Sequence, residues 1–250
     1  MPIPPQPIYP KVFANFPILV AAQSTRVGGF SEHPYHGLNL GSHTSDDPGM
    51  LIKNKELFCA QLGFDLSQSA KSHQVHGDAV LEVLEAGSYE GYDALVTKQR
   101  GILLTVSTAD CVPMLVYDPV KETIAAVHAG WKGTLLDIVG KTIRKMNEIY
   151  GSRAEDMRVY IGACIDRCHF EVGPEVWQQF DEPHRWLKED NDKGYIDLKQ
   201  VNFDLLTQMG VKEQNIEVSP YCTFDREDLF YSHRRDRGIT GRMWSVIGFL

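Results

Sequence analysis

Four short runs constrain this chain more than any other feature: residues 79–84, 102–106, 112–117 and 123–128 are apolar or β-branched at nearly every position. A strand with one face in water alternates apolar and polar residues, so a run without alternation marks a strand covered on both faces. The chain must therefore supply packing layers above and below a sheet. Further strands are expected at 158–163 and 216–219.

Helical periodicity supplies the covering layers. Over about 48–62, Leu51, Phe58 and Leu62 share a face, with Asp46 or Asp47 as cap and Gly63 as stop. Leu135, Ile138, Thr142, Met146 and Ile149 form a second stripe that ends at Gly151, after a helix start near Trp131 to Thr134. Shorter helices are expected at 174–180 and 200–209. Strands and helices mix without strict alternation, which favours α+β with mixed sheets over a doubly wound sheet.

Composition narrows the function classes. No repeat, low-complexity tract or Gly/Ser linker divides the 250 residues, so one domain is expected, with residues 1–11 as a proline-rich arm holding five of the 13 prolines. That arm lacks a basic region followed by an apolar stretch and does not read as a secretory signal. No window reaches the ~18 apolar residues of a membrane span. A net charge of -8 repels nucleic acid and leaves a small molecule as the expected partner of a monomer or small homo-oligomer. Five thinly spread cysteines, an odd number, suit a reduced, cytoplasmic protein.

Three segments pair metal-ligating side chains with small neighbours: Ser72 to Gly77, Thr108 to Cys111, and Val127 to Gly133. His76, Cys111 and His128 together offer two imidazoles and a thiolate, a set that suits Zn²⁺ and leaves one tetrahedral position open, as in catalytic sites. The other reading is that these residues are merely packed or hydrogen-bonded, since separations this long carry little specificity. In an extended segment His73 and His76 face opposite ways. His76, followed by Gly77, is the expected ligand, and His73 is expected behind it or at the surface.

Six ordered runs bear a resemblance: Gln74-Val75-His76-Gly77, Asp93-Ala94-Leu95-Val96-Thr97, Thr108-Ala109-Asp110-Cys111-Val112-Pro113, His128-Ala129-Gly130-Trp131-Lys132-Gly133, Ile161-Gly162-Ala163-Cys164-Ile165 and Phe230-Tyr231-Ser232-His233-Arg234-Arg235-Asp236. In these the chain resembles the YfiH family, variously labelled purine nucleoside phosphorylase, multicopper polyphenol oxidase or laccase-domain protein. The likeness runs from Thr25-Arg26-Val27-Gly28-Gly29 to Thr240-Gly241-Arg242-Met243. It implies mixed sheets packed as a sandwich with flanking helices, a fold shared with certain bacterial toxin deamidases. It also implies a metal triad at His76, Cys111 and His128, and zinc chemistry on adenosine, inosine or methylthioadenosine by phosphorolysis, with hydrolytic deamination of adenosine.

Deamination needs an acid/base group beside the metal, and Asp110 is a candidate, though it could equally brace a turn. No His-x-Glu with Pro-Cys-x-x-Cys occurs, so the site is not that of the familiar nucleobase deaminases. Phosphorolysis needs cations and amides. Arg26, in a glycine-rich loop, matches the family's loop arginine, and Arg234, Arg235, Arg237 and Arg242 crowd the other end of the chain. The amides after Gly130 are a further candidate. Trp131, Phe170 or Tyr221 could stack on a purine. Cys164 matches a family motif and is expected near the substrate, while a second metal site of Cys164, Cys168 and His169 is disfavoured for want of a downstream ligand pair. Three alternatives stay open: copper-dependent polyphenol oxidation, against which stand only nine histidines and no His-x-His; a cysteine hydrolase with Cys111 activated by His128, or an amidase editing cell-wall precursors as the resemblance implies for some members; and a metal that only braces loops.

Overall fold

Of the four apolar runs, 112–117 and 123–128 end up at the centre of one sheet and 102–106 at the centre of another, all largely buried, whereas 79–84 forms only a short, half-buried edge strand with a sheet neighbour on one side alone. The structure, a computed structural model, describes residues 4–187 and 192–250, so the first three residues of the proline-rich arm lie outside the described residues. A five-stranded sheet contains β1 (Leu19–Gln23), β2 (Ser69–His73), β4 (Gly87–Glu90), β6 (Leu103–Thr108) and β14 (Met243–Phe249), in the order β1-β14-β6-β2-β4. A six-stranded sheet contains β3 (Val80–Glu82), β5 (Ala94–Thr97), β7 (Val112–Asp118), β8 (Thr123–Ala129), β9 (Arg158–Ile161) and β13 (Ile216–Val218), ordered β13-β9-β7-β8-β5-β3. Both are mixed: β2 runs parallel to β4 and β6, while β6–β14 and β7–β8 are antiparallel. A small third sheet joins β10 (Glu171–Val172), β12 (Gly194–Ile196) and β11 (Arg185–Leu187).

Alternation along each buried strand assigns its two faces. In β7, Val112, Met114 and Val116 pack on α3 (Ile138–Tyr150) and α5 (Leu198–Gln208), while Leu115 and Tyr117 turn to the other sheet. There they meet Leu104, Val106, Ile247 and Phe249 of the five-stranded sheet. That sheet's outer face, through Leu103, Trp244 and Val246, packs on Phe58 and Cys59 of α1 (Pro48–Gln61). The result is helix, sheet, sheet, helix: an α+β sandwich of mixed sheets with the helices outside. No helix among the described residues is long and apolar enough to cross a membrane.

Several expected boundaries move for local reasons. Asp47 caps α1 by accepting from the Met50 amide at 2.9 Å. The stripe after Trp131 is two helices, α2 (Trp131–Leu135) and α3, because Asp137 turns the chain at φ 57° and caps the second through Gly140. α5 starts earlier than expected because Asp197 caps it through the Gln200 amide. Only Pro174–Trp177 is helical (α4); the following turn buries Phe180 beside Val176.

Candidate metal centre and its cavity

His128 shares the face of β8 that carries Ile124 and Ala126, so it points into the seam between the sheets, one residue before the strand ends. Cys111 lies in the tight turn where the chain leaves β6 in one sheet and enters β7 in the other. Asp110 makes that turn at φ 89°, and His76, in the loop after β2, sits at φ 59°. Positive φ in a non-glycine residue costs of order 1–3 kcal/mol and persists where surrounding contacts fix it. These contacts bring one donor atom each from His76, Cys111 and His128 within 4.8 Å of one another. The two imidazole rings meet edge to face with centroids 4.8 Å apart.

One buried carboxylate holds much of this in place. Asp93 opens β5, and its Oδ2 accepts the amides of Val75 at 3.1 Å and Gly77 at 2.8 Å. Its Oδ1 accepts the His76 amide at 3.0 Å and lies 2.7 Å from His128 Nδ1. A proton of His128 is thereby held on Nδ1, so Nε2 is the nitrogen that faces Cys111: it donates to the thiolate when the ring is charged and offers its lone pair to a metal when the ring is neutral. Burial raises the Cys111 thiol, but the charge of His128 and hydrogen bonds from His128 and His76 outweigh it and lower the pKa to about 6. For His128, burial is outweighed by the Cys111 charge and by Asp93, and its pKa rises to about 9. Gly130 closes the site from above: a Cβ there would lie 3.0 Å from His76 Cδ2 and 3.3 Å from Cys111 Sγ.

These residues fit a zinc ion by their chemistry. The sulfur favours the thiolate, one imidazole is locked in the ligating tautomer by a carboxylate, and three donors leave a position for a reactant. A second group, Cys168, His169 and Asp225, also clusters. There His169 is paired with Asp225 at 2.6 Å and stacked on Phe224, while burial and the carboxylates of Asp225 and Asp166 raise the thiol. Cys164 is not in that group; it is fully buried and its Sγ donates to Ile165 O.

The metal donors lie in a cavity of about 760 Å³, within the range of small-molecule sites. Of the expected residues, His76, Asp110, Cys111, His128, Phe170, Arg234 and Arg242 line it, and so does His73, whose ring stacks on His43. The strand ends at His73, so the alternation argument for residues 73–76 does not apply, and both histidines reach the same cavity. Arg234 sits over the Phe170 ring and donates to the carbonyls of His169 and Glu171. Asp110 accepts from the Thr223 hydroxyl and the Arg234 amide, both at 2.7 Å.

Arg26, Trp131, Cys164 and Tyr221 are not brought to the cavity wall. Arg26 lies over the Tyr231 ring and donates to the carbonyls of Glu227 and His36. The glycines of its loop serve packing: a Cβ at Gly37 would fall 2.1 Å from Arg26 O, and one at Gly29 would fall 2.7 Å from Asn54 Oδ1. Trp131 packs against the helix-side core, and α2 behind it is only 5 residues long. The residue that sequence reasoning missed is Asp93. Its signal was a carboxylate at the entry of a fully buried strand, a charge that must find partners.

Known proteins share this arrangement of chain. A family model described as multi-copper polyphenol oxidoreductase laccase matches residues 20–250. The chain is similar to a purine nucleoside phosphorylase of Deinococcus radiodurans, at 42% identity over 229 residues, 91% of this chain and 88% of that protein. It is also similar to the purine nucleoside phosphorylase YlmD of Bacillus subtilis, at 32% identity over 92% of this chain and 88% of that one. Among solved structures, Bacillus licheniformis hypothetical protein YfiH superposes with a TM-score of 0.91 at 33% identity over 94% of both chains. YlmD of Geobacillus stearothermophilus superposes at 0.90 and 33% identity, covering 96% of this chain and 94% of that one.

Proposed function

This chain belongs to the YfiH family, the one whose model bears the laccase description, and from that premise we propose that it is a zinc-dependent purine nucleoside enzyme. In this reading it cleaves adenosine, inosine or methylthioadenosine with phosphate and also deaminates adenosine. The observation that carries the reading is a three-donor centre of two imidazoles and a thiolate in the wall of a cavity large enough for a nucleoside. The relatives' names, purine nucleoside phosphorylase, support the coarser class, purine nucleosides cleaved with phosphate.

Zinc held by His76, Cys111 and His128 would supply a Lewis acid that polarises an oxygen and acidifies water. The protein's own contributions are separable from that. Asp93 fixes the His128 tautomer and the loop that presents His76. Phe170 lines the cavity with the Arg234 guanidinium over its ring. In phosphorolysis the purine departs with the electron pair of the broken C1′–N9 bond, so cations along the cavity favour its departure, and Arg234 and Arg242 both line it. Asp110, a candidate for proton shuttle or turn brace by sequence, uses both oxygens on Thr223 and Arg234, and we assign it the positioning of the Arg234 segment.

A second reading has a specific observation in its favour: Cys111, His128 and Asp93 stand in the order thiol, imidazole, carboxylate, with the thiol lowered to about 6. Copper-dependent oxidation needs several coppers together, and among the described residues only one donor group holds two imidazoles. Incubation of zinc-loaded protein with adenosine, with and without phosphate, tests the main reading. Ribose 1-phosphate is expected only with phosphate, and ammonia in both tubes. Intact adenosine in both at high enzyme concentration refutes it. Alkylation separates the second reading: a zinc-bound Cys111 is protected until chelator is added, whereas a catalytic thiolate reacts at once.

A further inference from the structure

The cavity extends beyond the metal donors over the outer face of the five-stranded sheet. α1 packs on Leu103, Trp244 and Val246 of that face, while Lys71 and Ser107 line the cavity. The register places them together: Lys71 is opposite Thr105, and Ser107 is opposite Trp244.

Two cations, Lys71 and Arg242, line this part of the cavity, and a third, Lys55, stands behind the wall, bonded to the lining residue Ser42. Lys55 descends from α1, 7% exposed, and its Nζ donates to Ser42 Oγ at 3.1 Å. Its ammonium lies 5.8 Å from the centre of the Trp244 ring, and the Lys71 ammonium lies 5.9 Å from the same ring. Arg242 packs its side chain on Gly41, the residue before Ser42; a Cβ there would fall 2.8 Å from Arg242 Cγ. Its Nη1 donates to the carbonyls of Thr240 and Gly241. Among the described residues none of the three has a carboxylate partner.

That arrangement is costly in the free protein. Burial and the neighbouring Lys71 charge lower Lys55 to about 8. The cavity does hold two carboxylates, but Asp110 accepts from Thr223 and the Arg234 amide and Glu90 pairs with His73, so neither is bonded to these cations. Sheltered cations without a counter-charge are unfavourable until an anion supplies it. Two ammoniums, a guanidinium and a hydroxyl are the donors that a tetrahedral oxyanion accepts from.

We propose that Lys55, Lys71 and Arg242, with the Ser42 hydroxyl, bind a phosphoryl group in the same cavity as the metal donors. Its role as nucleophile rests on the phosphorolysis reading: an oxygen of inorganic phosphate gives its pair to C1′, the C1′–N9 bond breaks, and the purine leaves with that pair and takes a proton from water. A phosphate carried by a nucleotide presents the same chemistry to the same groups.

Binding of inorganic phosphate and of adenosine monophosphate to zinc-loaded protein, followed by ³¹P NMR, tests the site without turnover. The variants are Lys71→Gln, Lys55→Met and, as a control two positions along α1, Lys53→Gln, whose side chain is exposed. Loss of one charge-assisted contact weakens phosphate binding by roughly 10-fold or more in the first two and leaves the control at the wild-type value. Lys55→Met removes an uncompensated charge, so it melts no lower than wild type without phosphate, which separates lost binding from lost folding. Should only the nucleotide bind, and bind more weakly in the two variants, the site stands and its phosphate arrives on the substrate. Unaltered binding in both variants, or none of either ligand to wild type, overturns the proposal. Phosphate binding that depends on these lysines in a protein that turns over no nucleoside refutes the phosphorylase reading and leaves the site intact.

Discussion

Replacing Asp93 by Asn tests whether one carboxylate organises the metal centre. Asp93 is 1% exposed and accepts four contacts, two on each oxygen. Asparagine keeps one oxygen, so two of the four are lost whichever way the amide turns. If the NH₂ group takes the Oδ2 position it faces the amides of Val75 and Gly77, donor against donor. If it takes the Oδ1 position it faces the His76 amide and forces His128 Nδ1 to accept, which moves the imidazole proton to Nε2 and removes the metal-binding lone pair. The first orientation leaves two partly buried amides unpaired at about 1 kcal/mol each, the low end of the range because water reaches them. That corresponds to roughly 4–8 °C in melting temperature for a chain of this size. Either orientation loosens the ligand geometry, and zinc affinity falls roughly 10- to 100-fold. A chelator competition titration beside a urea melt measures both. A folded Asp93→Asn protein holding zinc within about twofold of wild type would refute the reasoning.

Gly130→Ala is expected to weaken zinc binding while leaving the fold intact, because Gly130 has φ -70° and suffers no backbone strain, yet the new Cβ presses on His76 Cδ2; isothermal titration against circular dichroism checks it. Zinc removal by chelator should lower the melting temperature and re-addition restore it, and Cys111→Ser should abolish that dependence. Lys55, lowered from 10.5 to about 8 by burial and Lys71, binds more protons unfolded than folded between those values, so its contribution to stability rises with pH across that window. Lys55→Met should lose that rise in urea melts taken from pH 8 to pH 10.5 relative to wild type. Asn54→Ala, at a fully buried hub bonded to Phe30, Ser31 and Asn39, should cost about 3 kcal/mol by denaturant melt and loosen the glycine-rich loop.

The strands over Val112–Asp118 and Thr123–Ala129 were legible because burial on both faces leaves a continuous apolar run, and that mark does not depend on knowing the neighbours. β14 was not, although it is just as buried, because Gly248 interrupts the run. A Cβ there would lie 2.7 Å from Ile102 O, so the glycine is a requirement of close strand approach and not a break. The same ambiguity surrounds the glycine-rich loop of Arg26. Glycines that let a backbone approach phosphate and glycines that let it approach another backbone are spelled alike, and Gly37 against Arg26 O is the second kind. His76, Cys111 and His128 were legible as donors because ligand chemistry is a property of the side chain alone. Asp93, Lys55 and Lys71 act through what they touch, and those contacts exist only after the sheets pair.

The position of the donors explains why the metal reading and the fold support each other. Cys111 is in the turn that carries the chain from β6 of one sheet to β7 of the other, while His76 follows a strand of the first and His128 is the last residue but one of a strand of the second. A cation shared by all three therefore ties the two sheets at the seam, where Asp110 and His76 are held at positive φ. Strain of that kind is tolerable only if both sheets keep their relative positions, so anything that slides one sheet on the other disperses the donors before it unfolds the core. A change in the inter-sheet layer far from the cavity, such as shortening Leu115 or Ile247, should then weaken zinc binding more than an equal loss of stability on the helix side at Met146 or Val139. Matched pairs of such variants, compared at equal melting temperature, decide whether the sandwich itself is part of the metal site.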